Sequence, residues 1–187
     1  MSIVRTKTER RFNPHLLLLR SAQYHLGAAK EKRDGWYYHC LGAILMSALS
    51  IEAVGNTYGE FLIHNWEDFE SASPIAKLRL VATRCGVKPD FGKEPWQTAR
   101  LLIGFRHLIA HAKPKHLKFE KDCTQSDYAQ VFGVKLESKL EKMISESFAT
   151  KSCTAVDQIL SEFNKALRPA ELHALAYDGH ESSAQVV

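Results

Sequence analysis

The sequence predicts an all-α fold, a bundle of four to six helices. Three observations carry that expectation. Apolar residues recur at helical spacing through most of the chain. No stretch alternates apolar and polar residues between hairpin turns. Ten Gly and six Pro among 187 residues leave few breaks. Hydrophobic residues make up 45% and charged residues 25%, the balance of a folded globular protein and not of a disordered chain. The length suits one domain of ordinary size, or one domain with tails. We expect a basic N-terminal segment at 1–12, a helical-bundle domain at 13–167, and a C-terminal tail at 168–187 that is disordered from Ser182 onward.

The elements follow in order. Asn13-Pro14 is a good helix start, since Asn can cap and Pro fits the first helical position. Leu16, Leu17, Leu19, Tyr24 and Leu26 carry that helix to about Lys32, and Asp34-Gly35 breaks it. A long helix runs from about Trp36 to Ile63, with Leu41, Ile44, Leu45, Ala48, Leu49 and Ile51 at helical spacing. Its opening aromatics, Trp36, Tyr37 and Tyr38, read as core residues, with base stacking as the alternative. Ser73-Pro74 starts a short helix ending near Gly86. Residues 87–95, with two Pro and a Gly, form a loop. Pro95 opens a fourth helix to about Ala112, and Pro114 limits it. A helical pair follows at roughly 134–146 and 149–167. Arg168-Pro169 marks a boundary before one short helix.

Composition narrows the function classes. The net charge of +4 permits a nucleic-acid partner without demanding one. Cys40, Cys85, Cys123 and Cys153 are widely spaced and form no CxxC, against a zinc knuckle or a thioredoxin-type motif. No secretory signal is visible in residues 1–12. The most apolar stretch, Leu41 to Gly55, reads as too short to span a bilayer. These features suggest a soluble, cytoplasmic protein with free thiols and no membrane partner. No GxGxxG and no GxxxxGK[ST] occurs, so P-loop ATP hydrolysis is not supported. Ser152, Cys153 and Thr154 lack a nearby His and make poor nucleophiles.

The fourth helix carries the chemistry. On a wheel of about 100° per residue, Leu101, Leu102, Phe105, Leu108, Ile109 and Ala112 cluster as a core face. Arg100, Gly104, His107 and His111 line the opposite side, with Trp96 and Ile103 beside them. Gly inside a helix costs about 1 kcal/mol relative to Ala and suits a place of close approach. That far face is either a second contact surface or is covered by another helix of the bundle. Arg is permanently cationic and forks onto phosphate oxygens. A histidine titrates near neutrality and can take or give a proton. Together Arg106 and His111 form a minimal kit for cleaving RNA by attack of its own 2′-hydroxyl. The alternative is that they complement the helix dipole.

Arg106-His107-Leu108-Ile109-Ala110-His111 resembles the R-x4-6-H motif of HEPN domains, including the polar residue after the Arg. Ala48 to Asn56 resembles that family's long helix, with the acidic Glu52 among apolar residues. The resemblance covers about 14–165 loosely and 105–114 closely. It implies an up-down helical bundle that forms a homodimer, with two motif copies meeting in a cleft. It further implies a metal-independent endoribonuclease without cofactors, of a kind often found among toxins and phage-defence proteins. Arg106 would hold the scissile phosphate and His111 would be general base or acid. His107 would position one of them or touch the phosphate, and Glu52 would orient a histidine. Arg100, Lys113, Lys115 and Lys118, with Lys121 nearby, would attract the RNA backbone; a solvated loop is the alternative for the lysines. An antitoxin or nucleotidyltransferase partner belongs to the same picture. In some members a Tyr two places after the motif His is the modified residue, and here that position is Lys113.

Two other readings compete. His107 and His111 are i, i+4 and can supply two metal ligands, with Glu52, His64 or His116 as a third. Alternatively the chain is a non-catalytic module that dimerises and binds nucleotide or RNA.

Overall fold

The computed structural model describes residues 4–32, 34–125, 127–128, 132–178 and 180–186; for 4, 180–182 and 184–186 it describes the backbone only. The first helix, α1 (Pro14–Lys30), starts at Pro14 as its sequence predicts, but Asn13 does not cap it. The Asn13 side-chain amide instead donates to the carbonyls of Ala174 (3.1 Å) and Tyr177 (2.8 Å), and its backbone N–H donates to Asp178 (3.0 Å). The start of α1 is thus latched to the end of the bundle.

Gly35, at φ +79°, makes the left-handed turn into α2 (Trp36–Leu62). This helix is the centre of the molecule: α1 and three later helices all pack on it. Cys40, Ile44, Ile51, Val54 and Tyr58 are fully buried along it. By length and composition α2 could cross a membrane, contrary to the expectation from Leu41 to Gly55 alone, because the helix extends well beyond that stretch. Half of its most apolar window is buried inside this chain. At its far end Gly59 admits the Trp66 ring of a 3-10 turn (Trp66–Phe69), where a Cβ would stand 2.4 Å away.

The remaining helices begin at side-chain caps or at proline. They are α3 (Pro74–Arg84), α4 (Trp96–Ala110), α5 (Lys139–Met143), α6 (Glu146–Asn164) and α7 (Pro169–Ala176). The described residues thus form seven helices rather than four to six, two of them under nine residues. Ser73 caps α3, and Ser145 caps α6 by accepting from the Phe148 N–H at 3.2 Å. A Ser138/Glu141 capping box starts α5. Those two serines move the boundaries from the expected 134–146 and 149–167. Phe105, Phe163 and Tyr58 fill the centre, and Trp96 packs edgewise on Phe91 at 5.6 Å. Burying each such ring contributes about 1.5–3 kcal/mol.

His15 is an odd member of this core. It is completely buried, meets Tyr58 edge-on at 5.5 Å, and neither ring nitrogen has a hydrogen-bond partner of good geometry. Burial pushes its pKa down to about 4, with the nearby Leu175 backbone and Asp178 partly opposing.

The two ends depart from expectation. Residues expected to form a basic N-terminal segment make β1 (Val4–Arg10), and the expected disordered tail makes β2 (His180–Val186). They pair antiparallel, from Val4 opposite Val186 to Arg10 opposite His180. Residues 5–10 are all exposed, so β1 has no buried face and hence no alternation to read. Trp36 and Tyr38 are also exposed rather than core, while Tyr37 packs on it, because α2 opens at the edge of the bundle.

Candidate functional site

Helix α4 buries Trp96, Thr98, Ala99, Leu102 and Phe105. The core face is therefore turned from the expected one: Leu101 is 43% exposed, Ala112 is exposed, and Trp96 is inside. The reason is Trp96 itself, whose ring packs on Phe91 and Phe163 and sets the rotation of the helix. Arg100, Gly104, His107 and His111 are all exposed. A Cβ at Gly104 would meet nothing within 4 Å. No other helix of the described chain covers this stripe.

Rotation also decides where Arg106 goes. It flanks the core face, half-buried, and its Nε lies 3.3 Å from the Glu52 carboxylate on α2. Glu52 was expected to orient a histidine. Its ion-pair partner is instead Arg106, because Arg106 and not His107 or His111 lies on the side of α4 that faces α2. Residues five apart on a helix are about 140° apart around the axis. Arg106 and His111 therefore project from different sides of α4.

His107 and His111 are together. One turn apart, their ring centroids are 4.4 Å from each other. His111 ends the helix, its backbone N–H donating to the His107 carbonyl at 3.1 Å. Both line a cleft of about 470 Å³. Lys113 and Lys115 enter it from the segment after α4, and Lys139 and Glu141 from α5. Leu108, Leu117 and Leu140 supply apolar wall. The Glu141 carboxyl accepts the Ser138 N–H at 2.7 Å, which holds its pKa low. That carboxylate is occupied as a helix cap, while the three lysines flank the histidines.

Of the other residues named from sequence, Lys118 and Lys121 are exposed and do not line the cleft. Arg100 is exposed about two turns before His107 and is also outside the lining. Ser152 and Cys153 are buried: the serine hydroxyl donates to the Phe148 carbonyl at 2.7 Å and the thiol lies 3.5 Å from Ser47. Burial raises the Cys153 thiol pKa. Among the described residues no three His, Cys, Asp or Glu side chains are grouped to hold a metal. The sequence reading missed the far wall at 138–141, whose one local signal is the S-x-x-E capping box. No known protein family, curated protein or solved structure matches the chain.

Proposed function

We propose that this protein is a metal-independent endoribonuclease acting in a homodimer. The observation that carries the reading is the adjacent pair His107 and His111 in a cleft flanked by Lys113, Lys115 and Lys139. One histidine takes the proton from the ribose 2′-hydroxyl, whose oxygen attacks phosphorus. The other gives a proton to the departing 5′-oxygen as the P–O5′ bond breaks. The products are a 2′,3′-cyclic phosphate and a 5′-hydroxyl. Lysines hold the phosphate and offset the charge growing on it. Arg106 has five N–H donors, and Glu52 is close to Nε. Because Arg106 and the histidines point to different sides of α4, a second copy of the chain would bring one protomer's Arg106 to the other's phosphate. The HEPN resemblance of the motif supports the same dimer and a toxin or defence role under the control of a partner.

One observation favours a second reading, a non-catalytic RNA- or nucleotide-binding module. Arg106 is ion-paired with Glu52 and absent from the cleft lining. The two readings separate on single-stranded RNA in EDTA. We expect the wild type to cut and leave cyclic phosphate ends, and His111→Ala and Arg106→Ala each to lose about 10²–10⁴-fold in rate while remaining folded and dimeric. Inert wild type, with RNA still bound, selects the module.

A further inference from the structure

Three aromatic residues in a row open α2, and two of them are turned out of the core. Trp36 is 45% exposed and Tyr38 72%, while Tyr37 between them packs inward. Both outer rings meet Tyr37 close to perpendicular, Trp36 at 6.3 Å and 90°, Tyr38 at 5.7 Å and 84°. Such contacts hold a ring in place. Among the described residues neither outer ring is stacked flat on another aromatic side chain. His39, the next residue, belongs to a second histidine pair: its Nδ1 lies 3.1 Å from that of His25 on α1, at hydrogen-bond distance. Gly42, one turn after His39, makes room, since a Cβ there would stand 3.0 Å from the His25 ring. That pair serves the packing of α1 on α2 and is separate from the open rings.

The rings stand beside the cleft. Burial first, and the nearby Glu141 carboxylate second, raise the pKa of the Tyr37 hydroxyl. Glu141, Leu140 and Lys139 form the α5 wall of the cleft that holds His107 and His111. The acids along this edge are engaged, Glu137 with Lys135 at 3.4 Å and Glu141 as the cap of α5. A strand leaving the cleft over α5 therefore passes Lys139 and then meets the open rings. We infer that Trp36 and Tyr38 form a base-stacking platform for single-stranded RNA whose phosphate lies in the cleft. The inference rests on the reading of that cleft as an RNA site, and it names the substrate class. Proteins that take a single strand hold its backbone with cationic groups and stack its bases on aromatic side chains, with little regard to sequence, because every base has a π-face. A duplex keeps its bases stacked on one another and offers the rings none along its length, whereas loops and ends can splay theirs out.

Trp36 makes the platform directly readable, since the other two tryptophans, Trp66 and Trp96, are only 6% and 4% exposed. The test titrates the full chain with a 2′-O-methyl oligoadenylate, which has no 2′-hydroxyl to attack and is not cut, and with an abasic strand of the same length. We expect the oligoadenylate to quench tryptophan emission and to bind at least about tenfold more tightly than the abasic strand. Trp36→Ala should weaken that binding about 5–150-fold, the range for one stacked base, and Trp36→Phe, which keeps a ring, should lose less. The inference is overturned if the oligoadenylate binds without quenching and folded Trp36→Ala and Tyr38→Ala bind it like wild type. It is also overturned if the abasic strand binds equally well. Either result beside cleavage of ordinary RNA by the wild type removes the platform and leaves the ribonuclease standing. Quenching by the oligoadenylate, with ordinary RNA left uncut, supports the platform and removes the ribonuclease. No binding of either strand at millimolar concentration removes both.

Discussion

The two histidine pairs are built from the same side chain and do opposite things with it. His107 and His111 come from one helix, one turn apart, with ring centroids 4.4 Å apart and both rings exposed beside three lysines. His25 and His39 come from two helices, half-buried, with nitrogens meeting at 3.1 Å. In the first pair the nitrogens are left to whatever enters the cleft, and the surrounding charge favours an anion. In the second they face each other at hydrogen-bond distance, so each Nδ1 already has its partner. A third histidine completes the series: His15 is fully buried, its nitrogens have no partner of good geometry, and its protonation is disfavoured. Presentation decides what an imidazole does, more than its presence.

The comparison breaks if the pairs are interchangeable. The largest expected effect is a crossed one. His111→Ala should lower RNA cleavage by about 10²–10⁴-fold and leave the unfolding free energy unchanged, whereas His39→Ala, which removes the His25–His39 hydrogen bond, should lower stability by about 0.5–1.5 kcal/mol and leave cleavage unchanged. Parallel loss of cleavage and stability in either variant would tie the pairs together and sink the distinction.

The next effect concerns His15. Its pKa is about 4 in the folded state against 6.5 in its unperturbed form. Above pH 6.5 neither state binds the proton and stability is unaffected. As pH falls from 6.5 to about 4 the unfolded chain takes up a proton that the native one refuses, so stability falls. The loss reaches about 3 kcal/mol at the bottom of that window. Denaturant unfolding at pH 7 and pH 4 should show a smaller difference for His15→Leu than for wild type. An equal difference in the two proteins would mean that other groups carry the acid limb.

Smaller effects sharpen the contrast. Lys113→Ala and Lys115→Ala should weaken RNA binding and flatten its salt dependence by about 0.7 in log–log slope per lysine, measured by fluorescence anisotropy across a salt series. Unchanged slopes would remove the lysines from the anion site. Gly42→Ala should change stability least. A gain of up to about 1 kcal/mol in helix propensity offsets the crowding of the His25 ring at 3.0 Å. Thermal unfolding checks this, and a loss well beyond about 1 kcal/mol would show that the His25 ring cannot move aside.

Much of the helical skeleton was legible because local rules suffice for it. Pro14, Gly35, Pro74 and Pro95 punctuate the chain where the helices break. The apolar period of α2 runs on without conflict. The rotation of α4 was not legible, since Leu101 and Trp96 are both apolar and only Phe91 and Phe163 decide which goes inside. That rotation sends Arg106 to Glu52 and keeps it out of the cleft, so the motif residues could be named from sequence and their grouping could not. The cleft wall at 138–141 and the His25–His39 contact depend on residues brought together by tertiary packing. A sequence clue to the latter existed: a His near each end of a short interhelical turn, with Gly42 one turn on.

The ribbon of β1 and β2 has a consequence in time. Its partners are separated by almost the whole chain, and closing so long a loop is entropically unfavourable until the helices have drawn the ends together. A two-stranded ribbon with residues 5–10 exposed on one strand gains little of its own from burial. It is therefore the last element to zip shut during folding and the first to open afterwards. Its amides should exchange with solvent fastest among the paired ones, marking when the bundle has loosened enough to let its ends go.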